Sequence, residues 1–209
     1  MIVGITGGMG SGKSSFAREL EELGAKRIDA DRVGHQVIER PEILRDLLAA
    51  FGEDLINPAG KLNRRELGRR AFADEASCTR LNQIVHPLLE KELKNQIDRA
   101  RNPGSENVVV VDAALIFEWG DLQRFDAIVV VDAKEEVRIE RLIRGGMISE
   151  AEVRRRMACQ MPVEEKTARA DWVVENNGSL QDLRREAEHL WPKLRDPGQV
   201  QGFTVAKQV

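Results

Sequence analysis

The sequence predicts an α/β protein in three layers, a five-stranded parallel sheet between two sheets of helices. Three observations carry this. Short β-branched runs at 2–6, 108–111 and 127–131 have no polar alternation, as strands buried on both faces should. Segments of helical period separate them. The first strand runs straight into glycines and then into an amphipathic helix. The remaining elements follow in order. From Lys13, Phe16, Leu20 and Leu23 share one helical face, and Gly24 suits a left-handed stop. Residues 26–31 form a second strand ending in Asp-Ala-Asp. Residues 33–101 read as a helical block inserted between strands. Pro41 opens a helix there (Ile43, Leu44, Leu47, Leu48, Phe51), closed by Gly52. Residues 57–60 make a turn, and helices follow at 66–72 and 79–85. His86-Pro87 interrupts the pattern, with Pro87 in the first turn of a helix continuing to about Arg101. The valine run ends in Asp112 and the next strand in Asp132. A charged helix spans 134–144, and Ser149 with Glu152 signals another helix start. A last strand at 172–175 precedes a helix capped by Ser179 and Asp182 that reaches Trp191. After Pro197 the tail is polar and expected to fray.

Composition excludes several classes. The 209 residues are 42% hydrophobic and 32% charged, enough apolar surface for a core, and the net charge of −3 argues against a broad nucleic-acid-binding face. No apolar run approaches the roughly 20 residues that span a bilayer, and no basic flank precedes a signal-like stretch, so a cytoplasmic protein without membrane contact is expected. Cys78 and Cys159 stand far apart in the chain, and no histidine pair has metal-ligand spacing.

The strongest local signal is Gly7-Gly8-Met9-Gly10-Ser11-Gly12-Lys13-Ser14, which fits G-x-x-x-x-G-K-[ST] with Ser15 following. Glycines let successive amide N–H groups turn inward. Those donors and the positive helix end hold a polyphosphate. Lys13 can reach the β- and γ-phosphates, and the Ser14 hydroxyl can ligate Mg²⁺. The absence of Asn-Lys-x-Asp argues against a GTPase. Asp29 and Asp31, on an extended strand, would point to one side, where one could take or orient the proton of an attacking hydroxyl; alternatively Asp31 caps the next helix. Asp112 ends its strand as a Walker-B acid does, holding Mg²⁺ through water, whereas Asp132 reads as a cap or turn residue. Arg138, Arg141, Arg144, Arg154, Arg155 and Arg156 flank Gly145-Gly146. They form either an arginine-bearing lid over the triphosphate or a solvated face partnered by Glu140, Glu150 and Glu152. His86 either meets an acceptor substrate or merely marks a helix boundary. Asn176-Asn177-Gly178 is a turn that could meet a purine edge. Trp119, Trp172 and Trp191 read as core residues.

Six segments together resemble the dephospho-coenzyme A kinases. They are the phosphate loop from Thr6, Ile28-Asp29-Ala30-Asp31, the stretch 81–87, the stretch 112–118, Gln160-Met161-Pro162, and the stretch 170–178. The likeness runs from Ile2 to about Trp191. It implies a P-loop kinase fold with a five-stranded parallel core, a helical acceptor-binding insertion and a lid. The implied division is a nucleotide core (1–32, 105–137, 163–195), an acceptor region (33–104), a lid (138–162) and a flexible tail (196–209). The implied reaction moves the γ-phosphoryl of ATP to the ribose 3′-hydroxyl of dephospho-CoA, with Mg²⁺, in a monomer or small homo-oligomer. Carried over, Gly8, Gly10, Ser11, Gly12, Lys13, Ser14, Ser15, Arg141 and Asn176 hold the nucleotide. Thr6, Asp31, His86 and Pro87 serve the acceptor. Lys13, Asp31 and Arg141 act in catalysis, and Ser14 and Asp112 hold the metal. Two departures stand out. Ala114 replaces a proline usual in the family, and Gly145-Gly146-Met147 replaces an Arg-Asp-Gly-like turn, leaving Arg144 displaced by one. Another P-loop kinase of a nucleotide or small alcohol, or an ATP-binding regulatory protein with weakened lid chemistry, are the alternatives.

Overall fold

A computed structural model describes residues 1–101, 107–145 and 149–196. Five described strands, β1 (Ile2–Thr6), β2 (Lys26–Asp29), β3 (Val109–Asp112), β4 (Ala127–Asp132) and β5 (Trp172–Glu175), form one parallel sheet in the order β2-β3-β1-β4-β5. The pairing sets Ile5 beside Asp112 and Val129, so the strand ends converge at one edge of the sheet. Residue parity explains the uninterrupted apolar runs. Ile2, Val109, Val111, Ile128 and Val130 face one helical layer, while Val3, Ile5, Val110, Val129 and Val131 face the other. The outer strands β2 and β5 expose Lys26 and Glu175, polar residues suited to unpaired edges. In the central strand, a Cβ on Gly4 would sit 2.8 Å from Ile116 Cδ1, so glycine there admits the Ile116 and Phe125 side chains onto the sheet.

One layer holds α1 (Lys13–Glu22) and α9 (Leu180–Arg195), which bury Phe16, Leu20, Leu183 and Leu190. The other holds α2 (Ala30–Val37), α3 (Pro41–Phe51), α4 (Arg64–Ala71) and α5 (Glu75–Ala100). Their buried residues share a single core with β1, β3 and β4, so the inserted helices lie directly on the sheet. The chain continues through α6 (Glu135–Arg144), α7 (Glu150–Ala158) and α8 (Val163–Ala168). Local chemistry sets the helix starts. Asn63, Asp74 and Ser149 each accept a backbone N–H at N3, and Ser179 with Asp182 forms a complete capping box.

Three expectations need correction. The strand expected over 26–31 ends at Asp29, whose carboxylate caps α2 by accepting the Arg32 N–H at 3.0 Å. Asp31 therefore sits in the first helical turn, where its charge complements the helix dipole. The break expected at His86-Pro87 is absent: α5 passes through Pro87. The proline forfeits a hydrogen bond and costs about 3 kcal/mol, but Val85, Leu89, Leu93 and Ile97 bury one continuous stripe that outweighs it. The last helix runs past Trp191 through Pro192 to Arg195 for the same reason, its Leu194 being fully buried. The expected tail beyond Pro197 lies outside the described residues. Among the described residues no helix is long and apolar enough to cross a membrane.

Because Leu93 is 2% exposed within that stripe, Leu93→Ala should lower unfolding free energy by about 2–5 kcal/mol. Urea denaturation measures this, and a loss below about 1 kcal/mol would contradict the shared core.

Candidate active site

The loop between β1 and α1 is shaped by crowding from all sides. Gly7, Gly10 and Gly12 have φ of 152°, 81° and 94°. A Cβ on Gly7 would meet Val131 O at 2.1 Å, and one on Gly12 would meet Asn176 Nδ2 at 2.2 Å. The loop closes on itself where the Ser11 N–H donates to Gly8 O at 3.0 Å. It is clamped where Asn176 Nδ2 donates to Ser11 O at 2.7 Å and the Met9 N–H donates to Gln160 Oε1 at 3.2 Å. The Ser11 hydroxyl is buried without a partner. Helix α1 begins with no side-chain cap and no acid in its first turn. Its free amides and dipole present a positive end to whatever enters the loop.

Lys13 stands where charges meet. Its Nζ lies 3.4 Å from Asp112 Oδ1 and 3.7 Å from Asp31 Oδ2, and it donates to Ser14 Oγ at 3.2 Å. Asp112 is 2% exposed, yet its Oδ1 has no hydrogen bond. Its other oxygen accepts from Arg27 Nη2 at 2.7 Å, and the same nitrogen reaches Asp29 Oδ2 at 2.8 Å. The Asp31 side chain is 69% exposed. Asp112 Oδ1, ion-paired but without a hydrogen bond, and the Ser14 hydroxyl thus flank one ammonium group, and both are hard oxygen donors. Among the described residues no cluster of three or more His, Cys, Asp or Glu could hold a metal by itself. A divalent cation here would share its coordination with ligand phosphates.

From the loop a cavity of about 510 Å³ opens past Asp31 along α5 to Trp119 and Gln160. Leu81, Val85, His86 and Leu89 line it at helical spacing, all from α5. Burial pushes the His86 imidazole below its ordinary value, with Glu118 pulling the other way. Cys78 and Cys159 share the cavity wall, and burial together with a hydrogen bond to Cys159 pushes the Cys78 thiol up to about 12.

The expected residues divide into groups. Gly8, Gly10, Gly12, Lys13, Ser14, Ser15, Asp31 and His86 line this cavity. Ser11 and Asp112 stand just behind its wall. Thr6 does not line it: the residue is fully buried and its hydroxyl donates to Ala114 O at 3.1 Å. Pro87 does not line it either. Arg141 and Asn176 border a separate cleft of about 190 Å³ with Gly12 and Ser15. There Arg141 donates to Asn176 O at 2.9 Å and to Gly178 O at 3.1 Å. Arg144 and Arg154 pair with Glu140 and Glu150 on an exposed surface, the solvated-face alternative, whereas Arg156 pairs with Glu152 while mostly buried and lines the cavity. Arg156 also stacks on Phe72, 5.1 Å from the ring centroid. Of the expected glycine hinge, Gly145 ends α6, while Gly146 and Met147 lie outside the described residues.

Sequence reasoning missed Arg27 and a buried pair. Lys166 is fully buried, 3.0 Å from Glu118 Oε1, and donates to Ala114 O at 2.7 Å. Burial lowers its pKa, Glu118 opposes, and nearby Lys13 lowers it further. Nothing in Glu164-Glu165-Lys166-Thr167 marks that lysine for burial, since α8 itself was not legible.

Because burial lowers the His86 pKa, the folded chain binds fewer protons than the unfolded one as pH falls through the ordinary value of 6.5. Stability should then drop in that window. Urea midpoints measured from about pH 7.5 to about pH 5.5 should fall less steeply for His86→Gln than for wild type; coincident slopes would refute the lowered pKa.

A profile of the dephospho-CoA kinase family matches residues 1–182. The dephospho-CoA kinase of Corynebacterium diphtheriae is 40% identical over 194 residues, 92% of this chain and 96% of that one. A solved structure from Thermus thermophilus is 35% identical, with a TM-score of 0.72 over 93% of this chain and 97% of that one. The dephospho-CoA kinase of Campylobacter jejuni shares the fold, with a TM-score of 0.68 at 22% identity over 94% of this chain and 98% of that one. The glycine loop, the acid beside Lys13 and the cavity along α5 therefore sit in a chain that belongs to the dephospho-CoA kinase family, enzymes that phosphorylate dephospho-CoA with ATP to make CoA.

Proposed function

We propose that Asp31 and Lys13 carry the transfer of the ATP γ-phosphoryl group to the ribose 3′-hydroxyl of dephospho-CoA. The observation that supports this most directly is the 3.7 Å separation of Lys13 Nζ from Asp31 Oδ2 at the mouth of the cavity. The loop amides and the α1 N-terminus bind the triphosphate. Lys13 neutralises charge on the γ-phosphoryl group as its bond to the leaving ADP oxygen breaks. Asp31 accepts the proton of the attacking hydroxyl as its oxygen bonds to phosphorus. Its exposure leaves that carboxylate open to an incoming sugar, whereas Asp112, buried and tied to Arg27, cannot approach one. Ser14 and Asp112 are the residues that would hold Mg²⁺, which when bound screens the phosphate oxygens.

In this reading residues 33–104 receive the acceptor, with His86 on the wall it meets. The nucleotide core comprises 1–32, 105–137 and 163–195, and residues 138–162 cover the nucleotide. Two free cysteines suit action in the reducing cytoplasm.

Two measurements bear on this. Coupled ADP release should be stimulated by dephospho-CoA and not by nucleoside monophosphates; stimulation by a monophosphate alone would transfer the chain to another acceptor class. Asp31→Asn should lower kcat by about 10²–10⁴-fold while ATP binding persists. Removing one exposed helix-dipole charge costs only about 0.3–1 kcal/mol. An undiminished kcat would leave Asp31 as a helix-end residue and nothing more.

A further inference from the structure

Arg138 is 7% exposed, deeper than any other arginine among the described residues. Among those residues its side chain makes no ion pair and no hydrogen bond, and its Nε is sealed from solvent without a partner. The neighbouring charges are engaged elsewhere. Glu135 pairs with Arg154, Glu140 with Arg144, and the Arg141 guanidinium is spent on the carbonyls of Asn176 and Gly178. A guanidinium does not shed its proton at any physiological pH, so its burial cannot be relieved by neutralisation. An unpaired buried charge is costly, and a counter-charge brought by a ligand would relieve that cost.

The placement identifies that partner. The guanidinium lies against the phosphate loop: a Cβ on Gly8 would stand 2.3 Å from Arg138 Nη1 and 3.2 Å from Cζ. The same stretch of α6 presses on the next turn of the loop, where a Cβ on Gly10 would meet Arg138 O at 2.7 Å and Leu142 Cδ1 at 3.0 Å. Glycine at both positions lets α6 approach closely enough to bring the guanidinium to the loop. Gly8 itself borders the cavity that Lys13 enters from α1.

We propose that Arg138 is a nucleotide-contacting residue whose missing counter-charge is the polyphosphate of the bound nucleotide. The proposal rests on the phosphate-loop assignment above and adds a second cation, from α6, to the one supplied by Lys13. A planar fork of donors suits phosphate oxygens in pairs. The expected lid function is thereby relocated: the arginine meant for the phosphates is the buried one on the loop, three residues before Arg141.

Arg138→Met and Arg138→Lys test this, with ATP and inorganic tripolyphosphate as ligands in titration calorimetry and thermal melts. Met keeps the apolar stem and removes the charge. The expected result is that Arg138→Met weakens both ligands by at least about tenfold, that Lys restores part of the loss, and that the ligand-free protein melts no lower than wild type. A purely structural role would show instead as a lower ligand-free melting temperature with both affinities unchanged, and that result overturns the proposal. Wild-type protein that binds neither ligand would remove the phosphate-loop assignment itself, a failure distinguishable from that of Arg138 alone.

Discussion

The bend of backbone between β1 and α1 is crowded by three separate segments, and the chain answers with hydrogen atoms instead of side chains. Val131 O presses on Gly7, the Arg138 guanidinium on Gly8, Leu142 on Gly10, and the Asn176 amide on Gly12. One contact comes from β4, two from successive turns of α6 and one from the loop after β5. Any side chain at Gly7 or Gly12 would strike an atom within about the length of two bonds and demand a backbone that L residues rarely adopt. The loop is therefore a tertiary object. Its shape is held by packing against β4 and α6 and by the Asn176 amide on Ser11 O.

Charge is organised around the same bend. Two cations, Lys13 and Arg27, meet four carboxylates, Asp29, Asp31, Asp112 and, at 4.0 Å from Arg27, Glu21. Arg27 serves Asp29 and Asp112 together, so the buried acid is held by a rigid fork while one of its oxygens stays free of hydrogen bonds. Lys13, a flexible point charge, is left between Asp112 and Asp31. Arriving phosphates can draw it away without stripping Asp112 of its other partner. Further back, Lys166 and Glu118 form a second pair that anchors Ala114 and the Met161 N–H. The residue at 114 thus contributes its carbonyl, to both Lys166 and Thr6, and a backbone carbonyl is available from alanine as readily as from proline.

Much of this was legible because it is local. Glycine spacing, valine runs and the Ser149 and Ser179 caps each state their structure within a few residues, and the strands fell within a residue or two of their expected places apart from β2. That strand was misjudged because Asp29 and Asp31 both have the chemistry of a helix cap, and only the Arg32 N–H shows which one does it. The Pro87 break was a sound local inference overruled by a distant stripe of leucines, valine and isoleucine. Lys166, Arg27 and Arg138 were opaque for a different reason. A charged residue in a polar run gives no sign that it will be buried; that is decided by which helix lands on it, and α6 reaches its neighbours across most of the chain length.

The continuity of α5 has a consequence for selectivity. Had Pro87 broken the helix, the cavity wall would comprise two pieces able to shift independently. Instead Leu81, Val85, His86 and Leu89 come from one helix, and the stripe begun by Val85 and Leu89 continues through Leu93 and Ile97 into the core. On the proposed reading, a wall made this way cannot yield to a poorly fitting acceptor without disturbing the core, because protein cores resist continuous deformation. His86, whose pKa burial lowers, adds a hydrogen-bonding group to that wall. On the proposed reading the acceptor meets a fixed, mainly apolar surface, with Lys13 and Asp31 at the end proposed for phosphoryl transfer and Arg156 as a further charge on the wall.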